Sequence, residues 1–254
     1  MPSFTTSDGL ALNYQEWNSE GEGTPVILQH GFVVDTRLNW EAPGVVDALL
    51  KAGRRVVALD ARGHGQSEKP HDPALYGEPR MATDLCELID HLGVPTVDLV
   101  GYSMGAVIVL IASASDTRIR KVVAGGLGAS LVEIGGVDTR VLDNLALRDA
   151  LMADDLSNLA GPALEFRQLA DFLGGDRIAL HAQASVMHKD GVGFSAITIP
   201  TLIIAGTADP LAGRPEVLAA MFADGSLAVV DGDHQTAVGN PEFSERVTEF
   251  LALQ

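Results

Sequence analysis

The chain has 254 residues, 46% of them hydrophobic and 20% charged, with a single cysteine. That balance excludes disordered, collagen-like and coiled-coil architectures, and a chain of this length buries enough surface to hold a core without disulfides or structural metals. With 17 basic against 34 acidic side chains, the net charge of -17 repels phosphate backbones and anionic bilayers, which argues against nucleic acid as a partner.

The first eight residues lack the basic start and apolar stretch of a leader, and the longest apolar run, 106–112, is far short of the roughly 20 residues a membrane span needs. The expectation is a cytoplasmic protein with no membrane partner. Segments 4–6 and 10–17 flank Ser7-Asp8-Gly9, a hairpin signal. Short runs rich in Val, Ile and Leu follow at 25–29, 55–59, 96–100, 121–124, 201–205 and 227–230. Those at 25–29, 55–59, 96–100 and 201–205 lack polar alternation and are too short for helices, so they predict strands buried on both faces, and those at 121–124 and 227–230 extend the sheet. Helix-length segments at 39–51, 78–92 and 104–115 alternate with them, the signature of a doubly wound parallel sheet. Cys86 falls inside the predicted helix 78–92, as a packed thiol rather than a nucleophile. Pro241 opens a closing helix over 241–251.

The stretch 126–198 has no strand-like run. Its leucine-spaced segments 140–151, 162–173 and 177–188 predict short amphipathic helices, a helical insertion within one domain formed by 1–125 and 199–254.

Gly101-Tyr102-Ser103-Met104-Gly105 directly follows one buried run and opens the next helix. A serine at a sharp strand-to-helix turn has its hydroxyl lifted into the open, beside the unpaired N–H groups and positive dipole end of the helix, where an oxyanion is favoured. Such a hydroxyl needs a base, usually a histidine oriented by a carboxylate. Of the seven histidines, His91 ends a helix, His71 lies in a Pro-rich loop, and His181 and His188 lie in the insertion. His234 stands just after the last strand, on the edge of the sheet where Ser103 turns. Asp209 follows the preceding strand in the same way, and Asp231 and Asp233, on the histidine's own loop, are the competing carboxylates.

On these residues the chain resembles the α/β-hydrolase superfamily, specifically its capped esterase- and lipase-like members, over essentially its full length. Ser103, Asp209 and His234 fall in that family's order of nucleophile, acid and base. Gln29-His30-Gly31-Phe32 matches the loop that supplies an oxyanion N–H, which implies Phe32 and Met104 as the donor pair. Asp60-Ala61-Arg62-Gly63-His64-Gly65-Gln66-Ser67 matches a structural loop, so Asp60, His64 and His30 are expected to brace the site. The resemblance implies an α/β-hydrolase fold: an eight-stranded, mostly parallel sheet flanked by helices, with 126–198 inserted after strand 6 as a helical cap over Ser103. Phe166, Phe172 and Phe194 are then candidates to line an apolar acyl pocket. Val33 and Val34 stand where some lipases carry further glycines, which argues against very bulky alcohols. Ser103 excludes relatives with a carboxylate nucleophile.

No cofactor and no metal are expected, because no cluster has ligand spacing and no phosphate-binding loop is present. The expected activity is hydrolysis, through an acyl-enzyme, of a carboxylic ester of a small to medium, largely apolar small-molecule substrate. The alternatives are C–C bond hydrolysis, lactone or peracid chemistry with the same three residues, or a binding protein that has given up catalysis. The insertion carries 5 basic against 10 acidic residues, which favours a neutral ester over the carboxylated substrate of a C–C hydrolase.

Overall fold

In the computed structural model of the protein, which describes residues 1–21 and 23–252, the apolar runs pair into one eight-stranded sheet. β1 (Ser3–Thr5) and β2 (Ala11–Trp17) form the expected antiparallel hairpin, and β2 continues antiparallel onto β4 (Val56–Leu59). The remaining strands are β3 (Val26–Gln29), β5 (Val97–Tyr102), β6 (Ile119–Gly125), β7 (Thr201–Gly206) and β8 (Gly225–Val230). All six from β3 onward run parallel, and the spatial order is β1-β2-β4-β3-β5-β6-β7-β8.

Because side chains alternate across a strand, each buried run feeds two cores. Ile27, Val57, Leu99 and Ile203 face one side, where they meet Leu85 and Leu88 of α2 (Glu78–Leu92) and Val107 and Ile108 of α3 (Met104–Ser113). Val26, Leu28, Val100 and Ile204 face the other, against Leu49 of α1 (Val45–Lys51) and Phe243 and Val247 of α9 (Pro241–Ala252). Two-sided burial explains why these strands read as continuous apolar runs.

Between β6 and β7 lie α4 (Ser130–Glu133), α5 (Asn144–Met152), α6 (Gly161–Leu173) and α7 (Arg177–Ala184), while α8 (Pro215–Ala219) precedes β8. The boundaries differ from the sequence expectation where a cap intervenes. The helix predicted over 140–151 starts only at Asn144, because the Asp143 carboxylate caps it by accepting from the Ala146 N–H at 2.7 Å. The helix predicted over 39–51 is two pieces: a single π-type turn at Arg37–Glu41, then α1. Pro43 lacks an N–H and Gly44 takes φ +85°, so the chain turns there and restarts. No helix among the described residues is long and apolar enough to cross a membrane.

The loop after β4 is held by a fully buried guanidinium. Arg62 donates through Nε and Nη2 to the two oxygens of Asp84, each at 2.7 Å, and through Nη1 to Asp8 at 2.9 Å. Its hydrogen bond holds the Asp8 carboxyl down to about 2. Removing one member of a buried ion pair strands the other, so Arg62→Met should cost about 3–5 kcal/mol, read as a lower urea midpoint at an unchanged m value.

Candidate active site

β3 and β5 are neighbours, but the chain leaves β3 toward β4 on one side and leaves β5 toward β6 on the other. Loops that diverge from the carboxyl ends of adjacent parallel strands open a crevice between them. Gly31 and Phe32 lie on one lip and Ser103 on the other, and a Cβ added to Gly31 would lie 3.3 Å from the Ser103 Cβ.

Ser103 sits between β5 and α3 at φ +54°, ψ -120°, a conformation that costs a non-glycine residue about 1–3 kcal/mol. The turn is possible only because its glycines carry no Cβ. A Cβ on Gly105 would fall 2.0 Å from the Gln29 carbonyl oxygen, and one on Gly101 would fall 2.3 Å from that of Gly105. The first turn of α3 therefore packs directly on the end of β3. The Ser103 N–H donates to the Gly125 carbonyl at 2.8 Å, and the Met104 N–H, first in the helix, has no acceptor within it.

The structure brings Ser103, His234 and Asp209 together. His234 Nδ1 lies 2.8 Å from Asp209 Oδ2 and its Nε2 lies 2.9 Å from Ser103 Oγ. A carboxylate only accepts, so Nδ1 carries the proton and Nε2 is left to accept from the serine hydroxyl. The Asp209 side chain is fully buried, and its Oδ1 accepts from the N–H groups of Leu211 and Ala212 at 2.9 and 3.3 Å. Those bonds leave Oδ2 for the imidazole. The competing carboxylates are occupied otherwise: Asp233 caps its own loop through the N–H groups of Gln235 and Thr236, and Asp231 faces the Thr207 hydroxyl.

Over these residues opens a cavity of about 690 Å³ whose apolar wall includes Phe32, Leu38, Phe166, Leu169 and Val238. No Lys or Arg is among the described residues that line it.

The profile of a family described as alpha/beta hydrolase fold matches residues 24–168, more than half of the chain. The chain belongs to that family. It is 29% identical to a non-heme haloperoxidase of Rhodococcus erythropolis, over 91% of this chain and 92% of that one. Among solved structures, a hydrolase from Pseudomonas aeruginosa PA01 superposes with a TM-score of 0.79 at 26% identity, covering 99% of this chain and 98% of the other. An esterase from Exiguobacterium antarcticum superposes at 0.76 with 24% identity, covering 98% and 97%, a likeness of fold.

Within this hydrolase fold the remaining histidines separate clearly. His91 packs on Phe4, His71 pairs with Asp176, and His188 bonds the Gly191 carbonyl, none of them against Ser103. His30 and His64 are buried beneath the β3 loop. The N–H of Ala61 donates to His30 Nε2 at 3.0 Å and that of Val33 to His64 Nε2 at 3.1 Å. Each Nε2 is thus an acceptor, so each Nδ1 carries a proton, donated to the carbonyls of Gly31 and Arg62 respectively. Burial lowers the pKa of both rings, and burial together with the neighbouring His30 brings His64 to about 3. Asp60 completes the tie by accepting from the Thr36 and Gln66 N–H groups. These contacts hold Val33, a β-branched residue, at φ +72°. Cys86 lies away from the site in α2, its thiol pushed up to about 12, chiefly by burial.

Two residues beside the relay were missed by sequence reasoning. The Tyr102 hydroxyl donates to the His234 carbonyl at 2.9 Å, and its ring lies 5.4 Å from the imidazole, fixing that loop. The Asn39 side chain accepts from the Gly31 N–H at 2.8 Å. Tyr102 had a signal, an aromatic inside the Gly-x-Ser-x-Gly pentapeptide; Asn39 had none. Of the three phenylalanines expected in the pocket, Phe166 and Phe172 line the cavity, whereas Phe194 packs edge-on against Phe222 at 5.6 Å and lies outside it. Phe194 occupies a short turn just before β7 that binds this segment to the core rather than to the crevice.

Two rings held neutral in the fold but free to ionise when unfolded make stability fall with acid. For His64 the unfolded chain binds the extra proton between about pH 6.5 and pH 3, and His30 acts in the same direction. Unfolding free energy should therefore drop across that window by up to about 1.4 kcal/mol per pH unit from His64, with a further fall in the same direction from His30. His64→Gln, whose amide can replace both hydrogen bonds, should remove one proton from the slope in urea titrations at graded pH.

Proposed function

We propose that the protein hydrolyses carboxylic esters of small, largely apolar substrates through an acyl-serine intermediate. The observation that carries this reading is the unbroken relay from Ser103 Oγ to His234 to Asp209, at 2.9 and 2.8 Å, opening on a cavity with no Lys or Arg among the described residues of its wall.

In this reading Ser103 Oγ attacks the acyl carbon as its proton passes to His234 Nε2. The N–H groups of Phe32 and Met104 hold the developing oxyanion, a stabilisation worth about 3–4 kcal/mol per donor in related sites. The bond to the alcohol oxygen then breaks, and the alcohol leaves with the proton from His234. A water attacks the acyl-serine and gives His234 its proton, and Ser103 leaves with that proton as the carboxylic acid is released. Asp209 keeps the imidazole in the tautomer that accepts at Nε2 and stabilises the imidazolium. Segment 126–198 acts as a cap, contributing Phe166, Leu169 and Phe172 to the cavity roof.

The absence of Lys and Arg from the described lining residues favours a neutral ester over the carboxylated substrate of a C–C hydrolase. The haloperoxidase relative supports one variation on the same intermediate. Hydrogen peroxide in place of water would release a peracid and regenerate the serine.

Ser103→Ala should reduce ester turnover by several powers of ten with an unchanged unfolding midpoint, because it removes one oxygen and no core group. Retention of a tenth of the activity would reject Ser103 as nucleophile. Asp209→Asn should lower kcat by about 10⁴, since an amide favours the wrong tautomer. A near-normal kcat in that variant would remove Asp209 from the relay.

A further inference from the structure

Beside the oxyanion donors lies a second, much smaller recess, which shares Phe32, Ser103 and Phe166 with the large cavity. The rest of its lining includes Met104, Glu78, Leu142, Gln183 and Met187, and His234 is not among the described residues that line it. Its free volume is about 10 Å³, room for the centre of a single water-sized group. The large cavity, by contrast, includes His234 in its lining.

That difference orients an ester. The leaving oxygen takes its proton from His234 Nε2, so the alcohol portion must lie in the large cavity. The acyl portion, bound to the same carbon and pinned at the oxyanion donors, then points away from His234, toward the recess. We infer that the recess is the acyl site and that it restricts the enzyme to acetyl-sized acyl groups, with Gln183, Leu142 and Met187 as the residues that set the limit. This inference rests on the ester reading given above.

The wall is built to resist extension. Gln183 is 1% exposed, and its amide nitrogen lies against the sulfur atoms of Met104 and Met81. Its carbonyl oxygen has no hydrogen-bond partner among the described residues. Glu78 is 2% exposed, accepts from the His188 N–H at 2.8 Å, and has its pKa raised by burial. An alkyl chain driven into this wall would displace packed side chains and press hydrocarbon onto two buried polar groups without offering them a hydrogen bond, both unfavourable. A methyl group reaches neither limit.

The test is the acyl-length profile of nitrophenyl esters from acetate to octanoate, with the leaving group constant. The wild-type protein should lose at least about tenfold in kcat/KM between acetate and hexanoate. Leu142→Ala, and Met187→Ala as a less buried alternative should the first fail to fold, should raise the hexanoate-to-acetate ratio by about tenfold. Equal turnover of acetate and octanoate by the wild type, or an unchanged ratio in a folded widened variant, would overturn the inference. Alkanesulfonyl fluorides separate it from the ester reading, because fluoride leaves, the sulfonyl group bonds to Ser103 Oγ, and the alkyl chain must take the acyl side. If no ester is hydrolysed yet methanesulfonyl fluoride labels Ser103 at least about tenfold faster than octanesulfonyl fluoride, the ester reading falls and the recess stands as the size limit. Equal labelling rates would overturn the recess.

Discussion

The close approach of α3 to the end of β3 is the constraint on which the site depends. Gly105 lets the helix backbone come so near the Gln29 carbonyl that no side chain fits between them, and the chain two residues ahead of it must bend back sharply to meet β5. Ser103 absorbs that bend in an unfavourable backbone conformation. The two-sided apolar core of the sheet repays the cost, because β3 and β5 are pinned by neighbours on both edges and by helices on both faces. In return the hydroxyl, the helix N-terminus and the β3 loop converge on one point. A flatter turn would leave the serine lying along the helix with its oxygen facing its own backbone.

A second strained residue, Val33, sits two positions after Gly31 on the opposite lip. It is held by histidines that would pass for acid–base groups in sequence. Their hydrogen-bond partners show a different use: a neutral imidazole accepts at one nitrogen and donates at the other, so it can tie two backbone loops together within a dry interior. His30 and His64 do this between the loops after β3 and β4, while Arg62 anchors the second loop to α2 and the β1–β2 turn. The buried polar groups thus support the lip that carries the Phe32 N–H, and among the described residues His234 is the histidine bonded to Ser103.

What was legible in the sequence follows from which signals are local. Strands buried on both faces announce themselves as unbroken apolar runs, and Ser103 and Asp209 each follow such a run, while His234 follows β8, an edge strand with Leu227 and Val229 exposed, so their convergence could be read from the parallel arrangement. The choice of Asp209 over Asp231 and Asp233 rested on loop position, and the capping bonds of the three carboxylates explain it. The break of the helix predicted over 39–51 was written in Pro43-Gly44 but outweighed there by the apolar periodicity on either side. The lining of the cavity was not legible in full. Phe194 and Phe166 are both aromatic residues of the same insertion, and only the path of the chain in space separates the one packed on Phe222 from the one above Ser103. The Gln183 wall was invisible for the same reason: a glutamine in an amphipathic helix reads as a solvent-facing residue until the fold buries it against two methionines.

The central claim is that the strained turn makes one serine of this chain a nucleophile. Its most direct measurement is mass mapping of the protein after treatment with a fluorophosphonate, beside a urea-unfolded control. The account predicts a single adduct on Ser103 in the folded protein and none in the unfolded chain, with prior incubation in excess nitrophenyl acetate slowing the labelling. A folded protein left unmodified, or modified at another serine, would contradict it.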